Sequence, residues 1–196
     1  MCSANNSLFA NVSYVFLDRD GILNRKPREG TYVTGWKQFH LLPGVEQAIA
    51  RLNHWGRKVI VVTNQRGVAL GHMTLSDLDD IHQRLRNHLG THGARLDAIY
   101  ACPHDVGQCR CRKPDVGLFE RAFADFPAAS VGNSVMIGDS LSDIEAATRL
   151  GIPSIFVGAD PTNQEPDFRR AAQLATATAE SLLHCVDSYL MGAPGH

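Results

Sequence analysis

Tyr14-Val15-Phe16-Leu17 is a short apolar run with no turn former in it, and it passes directly into Asp18-Arg19-Asp20-Gly21. A run of this kind reads as a buried strand, and two carboxylates at its end read as a site. Side chains alternate along extended backbone, which starts Asp18 and Asp20 on one side and turns Arg19 away. Gly21 then permits a sharp turn. Taken alone, such a stretch fits a solvated Asp turn equally well, so other segments must decide.

They repeat the same design. Lys58 to Asn64 is a continuously apolar, β-branched run with a polar end, Thr63-Asn64-Gln65-Arg66-Gly67. Leu96 to Ala101 delivers the chain to Cys102, Ser134 to Ile137 ends in Gly138-Asp139, and Ser154 to Val157 is a further strand. Between these lie segments of helical period. Val45, Ala48, Ile49 and Leu52 share one face. Thr74 to Leu89 has Thr74 as N-cap and a stripe of Leu75, Leu78, Ile81, Leu85 and Leu89. Val116 to Phe126 and Ser142 to Leu150 complete the alternation, the last closed by Gly151. Strand-helix alternation with short connections predicts an α/β fold: a parallel sheet with helices on both faces in three αβα layers. Beyond Gly158 a polar loop is expected over 160–170, then a closing helix from Thr178 to Leu190.

The 196 residues suffice for one well-packed domain, with residues 1–13 as an N-terminal extension. A net charge of −1 and 44 % hydrophobic residues give no bias toward nucleic acid or membrane. No apolar run approaches the roughly 20 residues of a membrane span. The polar start lacks the layout of a signal peptide, so the expectation is a cytoplasmic monomer acting on a small molecule. His72, His82 and His88 share no helical face and read as surface groups. Residues 25–40, too long for a simple βα turn, read as a flap over the site. No insertion is long enough for a large cap domain.

Asp18, Asp20, Thr63, Asn64, Asp139 and Asp143 all fall at the carboxyl ends of proposed strands, where open parallel sheets bind ligands. Lys113 follows the third strand by way of a cysteine-rich loop. Clustered carboxylates suit Mg²⁺ with phosphate in its shell, a lysine neutralises phosphate charge, and Thr63 can donate to a phosphoryl oxygen. That combination points to phosphoryl transfer, for which an aspartate nucleophile is one covalent route. Cys102, His104, Cys109 and Cys111 offer three thiolates and an imidazole, a closed tetrahedral set for structural Zn²⁺. Cys2 and Cys185 read as plain thiols.

Asp18-Arg19-Asp20-Gly21, Thr63-Asn64-Gln65, Lys113-Pro114 and Gly138-Asp139-Ser140-Leu141-Ser142-Asp143 resemble, in order, the four motifs of the haloacid dehalogenase (HAD) superfamily of phosphatases. The resemblance implies a Rossmann-like fold and a set of roles. Asp18 would attack phosphorus, Asp20 would act as acid and then base, and Thr63 and Lys113 would hold the phosphoryl group. Mg²⁺ would be held by Asp18, the main-chain carbonyl of Asp20, and Asp139, with Asp143 orienting Lys113 or metal waters.

The cysteine loop resembles those of the D-glycero-D-manno-heptose 1,7-bisphosphate 7-phosphatases and of the histidinol-phosphate phosphatases. Gly30-Thr31-Tyr32-Val33 and Thr63-Asn64-Gln65-Arg66-Gly67-Val68-Ala69 are similar to segments of the heptose enzymes, which makes a phosphorylated sugar the expected substrate. Tyr32, Asn64, Gln65, Arg66 and Arg112 are the implied substrate contacts, with Lys26 and Arg28 as further candidates for a second phosphate. Two positions depart from the heptose pattern: Ser140 stands where lysine is common, and Arg66 where serine is usual. An inactive binding module would be expected to lack Asp18 or Asp20, and both are present.

Overall fold

The computed structural model describes residues 6–158, 162–163 and 165–191. Six strands, β1 (Tyr14–Leu17), β2 (Lys58–Asn64), β3 (Ala98–Cys102), β4 (Ser134–Gly138), β5 (Ser154–Val157) and β6 (Ala177–Ala179), pair in the order β3-β2-β1-β4-β5-β6. Every pairing is parallel. β1 is central, and the switch in strand order lies beside it, where a crevice opens beyond the strand ends.

Alternation sorts the strands' side chains into two cores. Val15, Leu17, Val59, Val61, Val135 and Ile137 face a layer that includes α1 (Val45–His54), α2 (Leu75–Thr91) and α6 (Leu182–Cys185). Phe16, Ile60, Val62 and Met136 face α3 (Gly117–Asp125) and α4 (Leu141–Leu150). Both faces being covered explains why β2 and β4 are continuously apolar rather than alternating. The expected three layers are therefore present. Residues 18–44 and 65–74, the connections after β1 and β2, contain no helix longer than the 3-10 turn Trp36–Gln38. No helix among the described residues is long and apolar enough to cross a membrane.

Four expectations are corrected. Residues 160–170 are not all loop: α5 runs Pro166–Leu174, with Pro166 in the first turn, where its missing N–H costs nothing. Its Ala171 packs with Ile144 and Phe156. The closing helix does not start at Thr178. Ala177 and Ala179 are buried while Thr178 is exposed, a period of two that adds strand β6 to the sheet edge. The helix begins at Leu182 behind the Ser181 N-cap and widens into a π turn over Val186–Leu190. Leu75, at the first position of α2, is 56 % exposed and leaves the stripe. His82, read as a surface group, is buried; it lies four residues from Leu78 and three from Leu85, on the buried face.

Within the expected N-terminal extension, Phe9 and Val12 are core residues, and the Phe9 ring lies 5.6 Å from that of Tyr189. Cys2 lies outside the described residues.

Candidate functional site

Register determines the site. Leu17 pairs with Val61 on one side and Ile137 on the other, so Asp18, Thr63 and Asp139 come at the strand ends within two residues of one level. β4 then turns into α4 through Gly138-Asp139-Ser140. Ser140 is the N-cap: the Asp143 carboxylate accepts from the Ser140 hydroxyl (2.6 Å) and main-chain N–H (3.1 Å) through Oδ2. The other Asp143 oxygen, Oδ1, is 2.6 Å from Lys113 Nζ.

Lys113 is 3 % exposed, yet charged. Its ammonium donates to the Val62 carbonyl (2.7 Å) and stands 2.9 Å from Asp18 Oδ1. Burial works against the charge, but Asp143 and Asp18 outweigh it and push the pKa up to about 12. The backbone that presents Lys113 is clamped by Asn64. The Asn64 amide donates to the Lys113 carbonyl and its Oδ1 accepts from the Lys113 N–H, both at 3.0 Å, beside the cis Lys113-Pro114 bond. The Asn64 side chain is thus turned to the framework.

For Asp18 a shift of the same sign favours the neutral form. Burial raises its pKa to about 7, with Lys113 pulling down and Asp143, Asp139 and Asp20 adding to the rise. One oxygen each from Asp18, Asp139 and Asp143 lies within 4.8 Å of the other two. Asp139 Oδ1 is buried and accepts no hydrogen bond. A hard-oxygen cluster with an orphaned buried carboxylate oxygen fits a divalent cation such as Mg²⁺. Lys26 covers it from outside, 2.8 Å from Asp139 Oδ2.

Asp20 is held apart from this cluster. Arg19 is fully buried and does not turn away: its Nη2 donates to both Asp20 oxygens, at 3.1 and 3.0 Å. Asp20, His82 and the face of Phe39 receive the guanidinium there. His82 Nε2 lies 3.3 Å from Arg19 Nη1. Burial and the Arg19 charge lower the His82 pKa to about 3, so the ring is neutral and accepts from Arg19. Asn24 (2.8 Å) and Gln65 (2.9 Å) also donate to Asp20, and the Gln65 amide donates to Thr63 Oγ1 (2.9 Å) as well. Sequence reasoning missed the Arg19-His82 support. The helical position of His82 relative to Leu78 and Leu85 carried the signal.

The outer residues are more scattered. Arg66 is ion-paired with Asp105, which ties the segment after β2 to the cysteine loop. Tyr32 stacks on His72 at 5.2 Å and packs on Gly67. Arg112 Nη1 is buried without a hydrogen-bond partner. Lys26, Arg28, Tyr32 and His40 line a cavity of about 340 Å³ in the 25–40 segment. At the loop, Cys102, His104, Cys109 and Cys111 place one donor atom each within 4.8 Å of all the others. Three sulfurs and one nitrogen at this spacing fit a tetrahedral zinc ion and leave no protein donor position open.

Comparison with known proteins agrees with this geometry. Residues 110–185 match the HAD-hydrolase-like family model. The chain is 42 % identical over 134 residues to a D-glycero-alpha-D-manno-heptose-1,7-bisphosphate 7-phosphatase of Mycobacterium tuberculosis, covering 68 % of this chain and 70 % of that one. Against the D-glycero-beta-D-manno-heptose-1,7-bisphosphate 7-phosphatase of Vibrio cholerae it is 37 % identical, covering 86 % and 91 %. The chain belongs to the HAD phosphatases. A crystal structure of the D,D-heptose 1,7-bisphosphate phosphatase from B. bronchiseptica, complexed with magnesium and phosphate, superposes on this HAD phosphatase with a TM-score of 0.79. That alignment has 29 % identity and covers 90 % of this chain and 97 % of the other.

Gly138 offers a direct test of the packing at the site. A Cβ there would stand 2.3 Å from Asp143 Cβ, a clash with no flexible tip to move aside. Gly138→Ala is expected to destabilise the fold by about 1–3 kcal/mol and to displace Asp143 from Lys113. Denaturant unfolding of the variant at unchanged midpoint would show that the β4-α4 turn has slack.

Proposed function

We propose that this chain is a Mg²⁺-dependent phosphatase that removes the 7-phosphate of D-glycero-D-manno-heptose 1,7-bisphosphate through an aspartyl-phosphate. The observation that carries the chemistry is the division between two carboxylates two residues apart. Asp18 faces Lys113 and the acidic cluster, while Asp20 is withdrawn from them by Arg19, Asn24 and Gln65. The identity to heptose-bisphosphate phosphatases supports the substrate.

A carboxylate oxygen of Asp18 attacks phosphorus, the bond from phosphorus to the sugar C7 oxygen breaks, and Asp20 gives that oxygen its proton. Water then attacks the acyl phosphate, Asp20 takes the water's proton, and inorganic phosphate leaves with Asp18 restored. Arg19 acts through Asp20 as a positioning residue, keeping the carboxyl where it can reach the leaving oxygen. Lys113 and Thr63 contact the phosphoryl oxygens, and the unpaired Arg112 N–H supplies a donor for the sugar phosphate. Tyr32 and Arg66 shape the rim. Asp18, Asp139 and the Asp20 carbonyl would hold Mg²⁺, which when bound offsets the mutual repulsion of carboxylate and phosphate. Cys102, His104, Cys109 and Cys111 would hold Zn²⁺ and so fix the loop that leads to Arg112 and Lys113.

Phosphate release from both anomers of the heptose bisphosphate and from histidinol phosphate tests the substrate. A ratio of hundredfold or more for one anomer over histidinol phosphate, about 2.7 kcal/mol, is expected. Comparable weak turnover of all three would overturn the heptose reading, and Asp18→Asn should be inactive while melting like the parent. The raised pKa of Asp18 sets a pH limb. The protonated carboxyl cannot attack, so kcat/KM should fall tenfold per unit as pH drops below that pKa. Because proton and cation compete for the same carboxylate, saturating Mg²⁺ should move the limb to lower pH. A limb that ignores Mg²⁺ would detach Asp18 from the metal. Cys109→Ser should lower bound zinc and the melting temperature together, whereas full zinc content at parental stability would refute the loop site.

A further inference from the structure

A second donor cluster joins two helices. Glu46 lies in the first turn of α1, while His88 and His92 lie four residues apart at the end of α2. One donor atom from each residue lies within 4.8 Å of the other two. From Glu46, His88 and His92 we infer a second metal site, one that takes a borderline divalent ion such as Zn²⁺ or Ni²⁺ and fastens α1 to α2.

Spacing is the first argument. His88 Nε2 and Glu46 Oε1 are 3.0 Å apart and share one proton. Two donors at the roughly 2.0–2.2 Å bond lengths of zinc stand about 3 Å from each other along the edge of a coordination polyhedron. A metal ion bound to both would displace that proton, with a small tilt of the two side chains.

The second argument is orientation. His92 Nδ1 lies 2.9 Å from the His88 carbonyl, which can only accept, so Nδ1 carries hydrogen and Nε2 keeps the lone pair in the neutral ring. An imidazole whose other nitrogen donates to a backbone carbonyl is the usual outer support of a ligating histidine. Two residues four apart share one helix face, and the carboxylate arrives from a separate element. Two imidazoles and one carboxylate suit zinc, nickel or copper better than magnesium.

His88 also meets the flap. Its ring is 6.3 Å from that of Trp36, which stacks on Phe39 at 5.2 Å. This places an indole beside the inferred ion and provides an optical report of binding.

Untagged protein, first supplied with one equivalent of Zn²⁺ for the cysteine loop, would be titrated with Ni²⁺ while tryptophan emission is followed, with calorimetry as a second measure. Saturable quenching at one further equivalent is expected. His92→Gln and Glu46→Gln should each weaken binding at least about tenfold, with turnover of the phosphate ester unchanged. Glu46 is partly exposed and His92 exposed to solvent, so neither change is expected to cost the fold. No saturable quenching or heat at millimolar Ni²⁺ would overturn the site. Binding indifferent to Glu46→Gln would overturn it as a clasp between helices, reducing it to a histidine pair on α2.

Discussion

The buried ammonium of Lys113 is the interaction on which the rest of the site depends. An isolated charge at that depth would cost many kcal/mol, and a folded chain keeps it only with partners arranged around it. Those partners come from three separate elements: the Val62 carbonyl from β2, Asp18 from the end of β1, and Asp143 from the first turn of α4. The β1, β2 and β4 ends must therefore be level, and the loop that carries Lys113 must return to them. Asn64 supplies that return through its paired contacts with the Lys113 backbone. Sheet register, loop closure and helix start are constrained by one nitrogen.

Around it, like charges are separated by what each is given to hold. Asp18 sits among carboxylates in a buried place and is reluctant to ionise, whereas Asp20 has a guanidinium and two amides turned toward it. The guanidinium is itself positioned by a neutral imidazole, His82, whose burial removes the alternative of a second positive charge facing Arg19. Two acids of the same type, two residues apart, thus acquire different surroundings, Lys113, Asp139 and Asp143 for Asp18, and Arg19, Asn24 and Gln65 for Asp20.

Much of this was legible in the residues. The alternation of apolar runs with helical stripes implied the layered sheet, and carboxylates at two strand ends, with Thr63 at a third, implied where a ligand would lie. Reading failed where short-range pattern was ambiguous. Alternation predicts Arg19 turned away from Asp18 and Asp20, but β1 ends at Leu17 and Arg19 already belongs to a turn, its carbonyl accepting from the Leu23 and Asn24 N–H groups, where the period of a strand no longer holds. His82 reads as a surface group when it is compared only with His72 and His88, whose helical face it does not share, although its place relative to Leu78 and Leu85 belongs to the buried stripe. Pro166–Leu174 reads as loop because Asp167, Arg169, Arg170 and Gln173 interrupt its apolar residues, and β6 is hidden inside an apparent helix because three residues are too few to establish a period. Asn64 and Gln65 are expected from the sequence as substrate contacts, while their aim at the Lys113 backbone and at Asp20 depends on contacts between distant segments.

Asp143 performs two tasks with its two oxygens: one caps α4 and the other faces Lys113. Fraying of the first turn of α4 would withdraw the carboxylate from the lysine, and loss of the lysine's charge would loosen the turn. Amide hydrogens of that turn should consequently exchange with solvent in step with the opening of the phosphate pocket, making the helix start and the pocket floor one cooperative unit.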